Sequence, residues 1–218
     1  MSLRYVSNNA ANDHSKLLSP PDFLRPLLQS LTTLTKNFPP RAYTARECRG
    51  LYSGPTSVAY LFFRISRGHP DLMISGKKPS QWALEYLQGG REGHGATAGK
   101  SGVINEQLAF YAVRAAVTQD FKDVEKLVKH VTNAALTLDR GSDEWLYGRA
   151  GCLYLLRLAR GWVRDSARIV DPLVEELIED VLSHGPVWPW HGKDYLGKPP
   201  YCICCKVHPN TLCLQTTI

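Results

Sequence analysis

Apolar residues recur along this chain three and four positions apart, and nowhere do they alternate with a period of two over a useful length. A helix turns once per 3.6 residues whereas a strand flips its side chains every second residue, so the pattern selects helices. The chain is expected to be all-α. From Pro20 to Asn37 the stripe is Phe23, Leu27, Leu28, Leu31 and Leu34, closed by Pro39 and Pro40. Pro55, just after Gly54, opens a second helix with Val58, Leu61, Phe62 and Ile65, which Gly68 and Pro70 end. A shorter helix spans Pro79 to Leu87, and the glycine-rich stretch Gly89 to Gly102 is a loop. Ile104, Leu108, Tyr111 and Ala115 mark a fourth helix, and Phe121, Val124, Leu127, Val128, Val131 and Leu138 a fifth. The break at Gln119 and Asp120 predicts that these two form a hairpin. A sixth helix opens near Gly148 and runs to Arg160. The last takes Asp171 as its cap and Pro172 as its first residue, with Leu173, Leu177, Ile178, Val181 and Leu182 on one face.

Gly54, Gly102, Gly148 and Gly197 recur at intervals of 48, 46 and 49 residues, each near the start of an element. A repeat of that length suggests an array or toroid of helix pairs, each burying its apolar face against the next. The chain has 218 residues and is 44% hydrophobic, enough to bury one sizeable core. The opening stretch, Met1 to Ser19, mixes Asn, Asp, His and Ser with scattered apolar residues, unlike a secretory signal, which places the chain in the cytoplasm or nucleus. No run approaches the roughly 18 apolar residues of a transmembrane segment. The net charge is +6, but the basic residues are interleaved with acids such as Asp123, Glu125, Glu175 and Glu176, a pattern that argues against nucleic acid as a partner.

Several short motifs carry possible chemistry. Gly93 to Ser101 ends in Gly-Lys-Ser like a phosphate-binding loop, but His94 stands where that loop needs its first glycine, so a surface loop is expected. Gly148 and Gly151, three residues apart at a helix start, allow another backbone to come close or leave amides free for an anion. Cys152 beside them is expected to be packed rather than reactive. Trp188 to Gly197 gathers aromatics, His191 and Lys193 within ten residues, as at a ligand-facing surface. Cys202, Cys204, Cys205, His208 and Cys213 match no standard zinc spacing, so no metal site is assigned.

Three segments in order resemble the eukaryotic lanthionine synthetase C-like (LanC-like) proteins. Leu51-Tyr-Ser-Gly54-Pro-Thr-Ser-Val58-Ala-Tyr-Leu resembles the family's first Gly-x-x-Gly segment, with Ser57 at the second glycine. Glu144-Trp-Leu-Tyr-Gly-Arg-Ala-Gly-Cys-Leu-Tyr154 resembles its E-L/M-L-Y-G-R-x-G-Y-x-Y signature, and Trp190 to Gly197 is similar to W-x-x-K-x-Y-x-G. Arg4-Tyr5-x-x-Asn8 is similar to the family's N-terminal arginine segment, so the resemblance covers residues 1–197.

The resemblance implies a partial α/α toroid, roughly the first half of a seven-hairpin barrel, in residues 1–197, with a Cys-rich tail outside the family in 198–218. It implies descent from enzymes that add a thiol, cysteine or glutathione, to dehydroalanine or dehydrobutyrine in a peptide or protein. Zinc is expected in full-length members, yet Pro200 stands where the family has an active-site histidine, and W-C-x-G and C-H-G strings occur nowhere. The expectation is a chain without a zinc centre or a cofactor of its own, with no assigned catalytic residue and no activity alone. Arg4, Arg149 and Lys193 are the candidate contacts to an anionic substrate. The abrupt end of the match predicts that residues from Lys198 onward come from a shifted frame, a retained intron or a misassigned exon. A half toroid would also expose apolar faces at its open ends. The alternatives are a non-catalytic helical protein-interaction module and a hairpin-toroid glycosidase, for which no carboxylate pair can be picked out.

Overall fold

A computed structural model of the chain describes residues 20–89, 101–136 and 143–184. Seven helices lie in these segments: α1 Pro20–Asn37, α2 Pro55–Gly68, α3 Pro79–Gln88, α4 Glu106–Thr118, α5 Phe121–Ala135, α6 Arg149–Trp162 and α7 Ala167–Ser183. Among the described residues no strand forms, and an isolated antiparallel β-bridge joins Arg49 to Ser53. The chain divides into two compact units, Met1–Pro39 with Ile74–Gly76, and Pro40–Met73 with Lys77–Ile218. The first unit contains α1, in which Leu31 and Thr35 are buried while Phe23 and Leu24 are exposed. The second contains α2 to α7.

The breaks fall where the local chemistry asks for them. Pro55 and Pro79 open α2 and α3, at the positions where a missing amide costs nothing. The Asn105 side chain accepts from the Leu108 amide at the start of α4, and Asp120 accepts from Lys122 at the start of α5. Between them Gln119 takes a left-handed conformation, φ 58°, and turns the chain back into the expected α4–α5 hairpin. Arg114 of α4 fastens that hairpin by two hydrogen bonds to the buried Asp123 carboxylate of α5, one of them 2.7 Å long.

The start of α7 departs from expectation. The helix begins at Ala167, and Pro172 lies inside it. Asp171 is not the cap: it lies inside the helix, and its carboxylate pairs with the guanidinium of Arg160 on α6. The Ser166 carbonyl instead accepts from the amides of Ile169 and Val170, and burial of Val170 rewards the extra turn. Packing outweighs the local signal of an Asp-Pro pair.

Within the second unit α2 packs on α3, α4 on α5 and α6 on α7, giving three consecutive hairpins. The leading helices also meet one another, α2 against α4 and α4 against α6. Ala109, Ala112, Ala115 and Ala116 of α4 are buried, and their small side chains let α4 fit between its neighbours. Phe62 of α2 stacks on Trp82 and Tyr86 of α3, with ring centroids 6.0 and 5.9 Å apart. Leu127 and Val131 of α5, Leu155 and Leu156 of α6, and Leu177 of α7 complete the core, each worth roughly 1.5–3 kcal/mol when fully buried. On α7, Ile178 and Leu182 stay exposed, the latter at 65%.

Candidate functional site

Each leading helix of the second unit is preceded by a loop, residues 48–54, 101–105 and 143–148, and these loops are laced together through their backbones. The Leu51 amide donates to the Val103 carbonyl at 2.8 Å. Ser101 and Ile104 donate to Tyr147 and Leu146 at 2.8 and 3.0 Å, and Val103 donates to Trp145 at 3.3 Å. Glycine makes the lacing possible. At Gly50, with φ +56°, a Cβ would fall 2.2 Å from the Val103 carbonyl oxygen. At Gly151 it would fall 2.2 Å from the Trp145 oxygen and 2.6 Å from the Cα of Gly102. Of the two alternatives open for the Gly148–Gly151 pair, the structure contains the close approach, at Gly151, whereas the pair's amides are not left for an anion. Ala150 donates to Asp143, and Gly151 and Cys152 donate to Gly148.

Two glutamates tie the loops further. Glu106, in the first turn of α4, accepts from the Gly50 amide at 2.7 Å and from the Thr56 hydroxyl at 2.5 Å. Glu144 accepts from the amides of Leu146, at 2.6 Å, and Tyr147 in its own loop. Both carboxylates are engaged by loop and helix-start donors.

Against this laced layer lies a cleft of about 310 Å³, within the range of a small-ligand or side-chain pocket. Leu51, Val103 and Leu146 line it from the loops. Tyr52, Tyr60, Trp145 and Tyr154 supply the aromatic surface, with Tyr52 61% and Trp145 45% exposed. The hydroxyls of Tyr60 on α2 and Tyr154 on α6 hydrogen-bond to each other, and the Trp145 ring lies 4.8 Å from that of Tyr154. Burial and the Tyr60 contact push the Tyr154 phenol up to about 12, while the guanidiniums of Arg64 and Arg157 pull it down. Neither arginine forms an ion pair among the described residues, and both are exposed.

The sequence signal for these tyrosines is positional. Tyr60, Tyr111 and Tyr154 each stand six residues after the cap of their helix, Gly54, Asn105 and Gly148. Two of them meet at the cleft, and Tyr111 stacks on His130 of α5 with centroids 5.4 Å apart. Arg64 and Arg157 follow the two cleft tyrosines by four and three residues, one helical turn on, the spacing that puts side chains on one face. Sequence reasoning fixed on glycines and missed this register.

Arg149 faces elsewhere. Its side chain is 2% exposed, and its Nη1 donates to Asp143 Oδ1 at 2.9 Å while its Nε lies 2.5 Å from Asp180 Oδ2 on α7. His184 closes the ring, with Nδ1 2.5 Å from Asp143 and Nε2 3.6 Å from Asp180. Two carboxylates thus hold a guanidinium and an imidazole between α6, α7 and the loop before α6. In this arrangement Arg149 is spent on partners within the chain. Arg4 and Lys193 lie outside the described residues, as do Gly93, His191 and the cysteines from Cys202 to Cys213.

Cys152 is fully buried and its thiol donates to the Ser101 carbonyl at 2.5 Å. Burial pushes the thiol up to about 12, against weaker opposite pulls from that bond and from Arg149. It is a packed thiol rather than a nucleophile. Among the described residues no group of three or more His, Cys, Asp or Glu side chains is placed to hold a metal ion. The one cluster of two aspartates and a histidine already surrounds the Arg149 cation. No described helix is long and apolar enough to cross a membrane. In comparisons with known proteins, no family model and no curated protein matches the chain.

Proposed function

We propose that this chain is a LanC-like protein, its hairpins forming part of an α/α toroid, and that it binds a peptide or protein chain in the cleft between α2 and α6. The observation that carries the reading is the set of three glycine-bearing loops, spaced like the sequence repeat and bonded backbone to backbone. Such lacing is what a ring of hairpins needs where the leading helices converge, and it supports the resemblance of the Leu51–Leu61 and Glu144–Tyr154 segments to that family.

Thiol addition to a dehydrated residue requires a thiolate, and zinc supplies that in the family by lowering the thiol pKa. Among the described residues no donor set suited to that metal is placed together, and the cleft is lined by aromatic and aliphatic side chains. That lining favours peptide binding without turnover, the role of an interaction module descended from glutathione-adding enzymes. The test is incubation of the purified full chain with glutathione and a dehydroalanine-containing peptide, followed by mass spectrometry. The expected result is no mass increase of one glutathione over the uncatalysed control; zinc-dependent adduct formation would overturn the non-catalytic reading.

A further inference from the structure

The cleft combines an uncharged aromatic lining with two arginines that form no ion pair among the described residues, and this sets the chemistry of what fits it. Its lining residues carry no charge, while Tyr60, Tyr154 and Trp145 bring hydroxyl and indole donors to an otherwise apolar surface. The nearby carboxylates of Glu106 and Glu144 are turned into the loops, bonded to Gly50, Thr56, Leu146 and Tyr147. Beyond the aromatics, Arg64 and Arg157 stand one turn, about 5.4 Å, further along α2 and α6. The chain as a whole carries +6, which favours approach of an anionic partner.

The geometry points to an acidic peptide segment as the occupant: an apolar or aromatic side chain seated among Tyr52, Tyr60, Trp145 and Tyr154, with a carboxylate one or two positions away reaching Arg64 and Arg157. The spacing suits an extended strand, which advances about 3.3–3.6 Å per residue, so one or two residues cover the turn between aromatics and guanidiniums. The aromatic faces contribute area and the two arginines contribute selectivity, because planar guanidiniums pair with carboxylates in fixed geometry. This rests on the proposed peptide-binding reading of the same cleft, and it adds the charge and side-chain class of the ligand.

The test is fluorescence anisotropy of the full chain with two fluorescein-labelled hexapeptides, one with a central Phe flanked by Asp and Glu, the other with Lys in place of both acids. The acidic peptide is expected to bind at least tenfold more tightly and to weaken as salt is raised. Arg64→Glu/Arg157→Glu should reverse that preference, and Trp145→Ala should weaken both peptides alike, with circular dichroism showing each variant folded. Equal affinity for the two peptides, or an unchanged preference in the charge-reversed variant, overturns the acidic-ligand inference while leaving peptide binding standing. Absence of binding by either peptide overturns both.

Discussion

Arg149 and Tyr154 stand five residues apart on α6, in the same motif, and serve different ends. Arg149 is buried between Asp143 and Asp180, whereas Tyr154 meets Tyr60 across an open cleft flanked by arginines with no partner among the described residues. The charged residue, which a reading by chemistry alone selects for substrate, holds α6 to α7. The aromatic residue, to which the same reading assigns no role, lines the cleft. A motif can thus be split by burial into a part that maintains the fold and a part that presents a surface.

Removing a partner from the buried cluster is the strongest way to probe this division. Asp143→Ala takes from Arg149 and His184 the more buried of the two carboxylates that hold them, and should cost about 3–5 kcal/mol in urea unfolding. A loss below 1 kcal/mol would mean that the cluster is solvated and free for other roles. Gly151→Ala comes next. Its Cβ would strike the backbone of Trp145 and Gly102, which cannot rotate aside, so the loops must part at a cost of about 1–3 kcal/mol. The same variant should loosen peptide binding in the cleft, joining the two regions that the comparison separates.

Alkaline pH should act more gradually. Cys152 is raised from 9.0 to about 12 and Tyr154 from 10.0 to about 12, so the folded chain keeps protons that the unfolded chain releases. Stability is therefore fully present below the ordinary values and falls as pH rises through them toward the folded ones. Urea midpoints at about pH 8 and about pH 10.5 should differ in that direction, and Cys152→Ala should reduce the difference. A midpoint that holds steady across this range contradicts the buried placement of both groups. The smallest effect belongs to Arg160→Ala: the pair with Asp171 lies in solvent, and its loss should leave the melting temperature unchanged within error.

Much of this architecture could be read in the residues. The stripes of α1 to α6 and their Pro, Gly and Asp punctuation carry local information, and the structure follows them closely. The failure at α7 is physical: the Asp171-Pro172 pair is a local start signal, but the buried Val170 and the Ser166 carbonyl carry the helix one turn further back, and Asp171 instead pairs with Arg160, eleven residues earlier on α6. Arg149 was visible as a charge at a glycine-flanked helix start, but its partner Asp180 lies 31 residues away, and no local pattern signals that they meet. The cleft was hidden for a related reason. Tyr60 and Tyr154 are separated by 94 residues, and only the register of the repeat, six residues after each cap, places them together.

The division between the two regions is tested most directly by comparing the urea unfolding free energies of Arg149→Met and Tyr52→Ala with that of the parent chain. Arg149→Met should lose about 3–5 kcal/mol, because Asp143 and Asp180 are left facing each other without their cation. Tyr52→Ala, at an exposed position on the cleft, should stay within about 0.5 kcal/mol of the parent. If Arg149→Met unfolds at the parent's midpoint, Arg149 does not hold α6 to α7, and the separation of a structural face from a binding face fails.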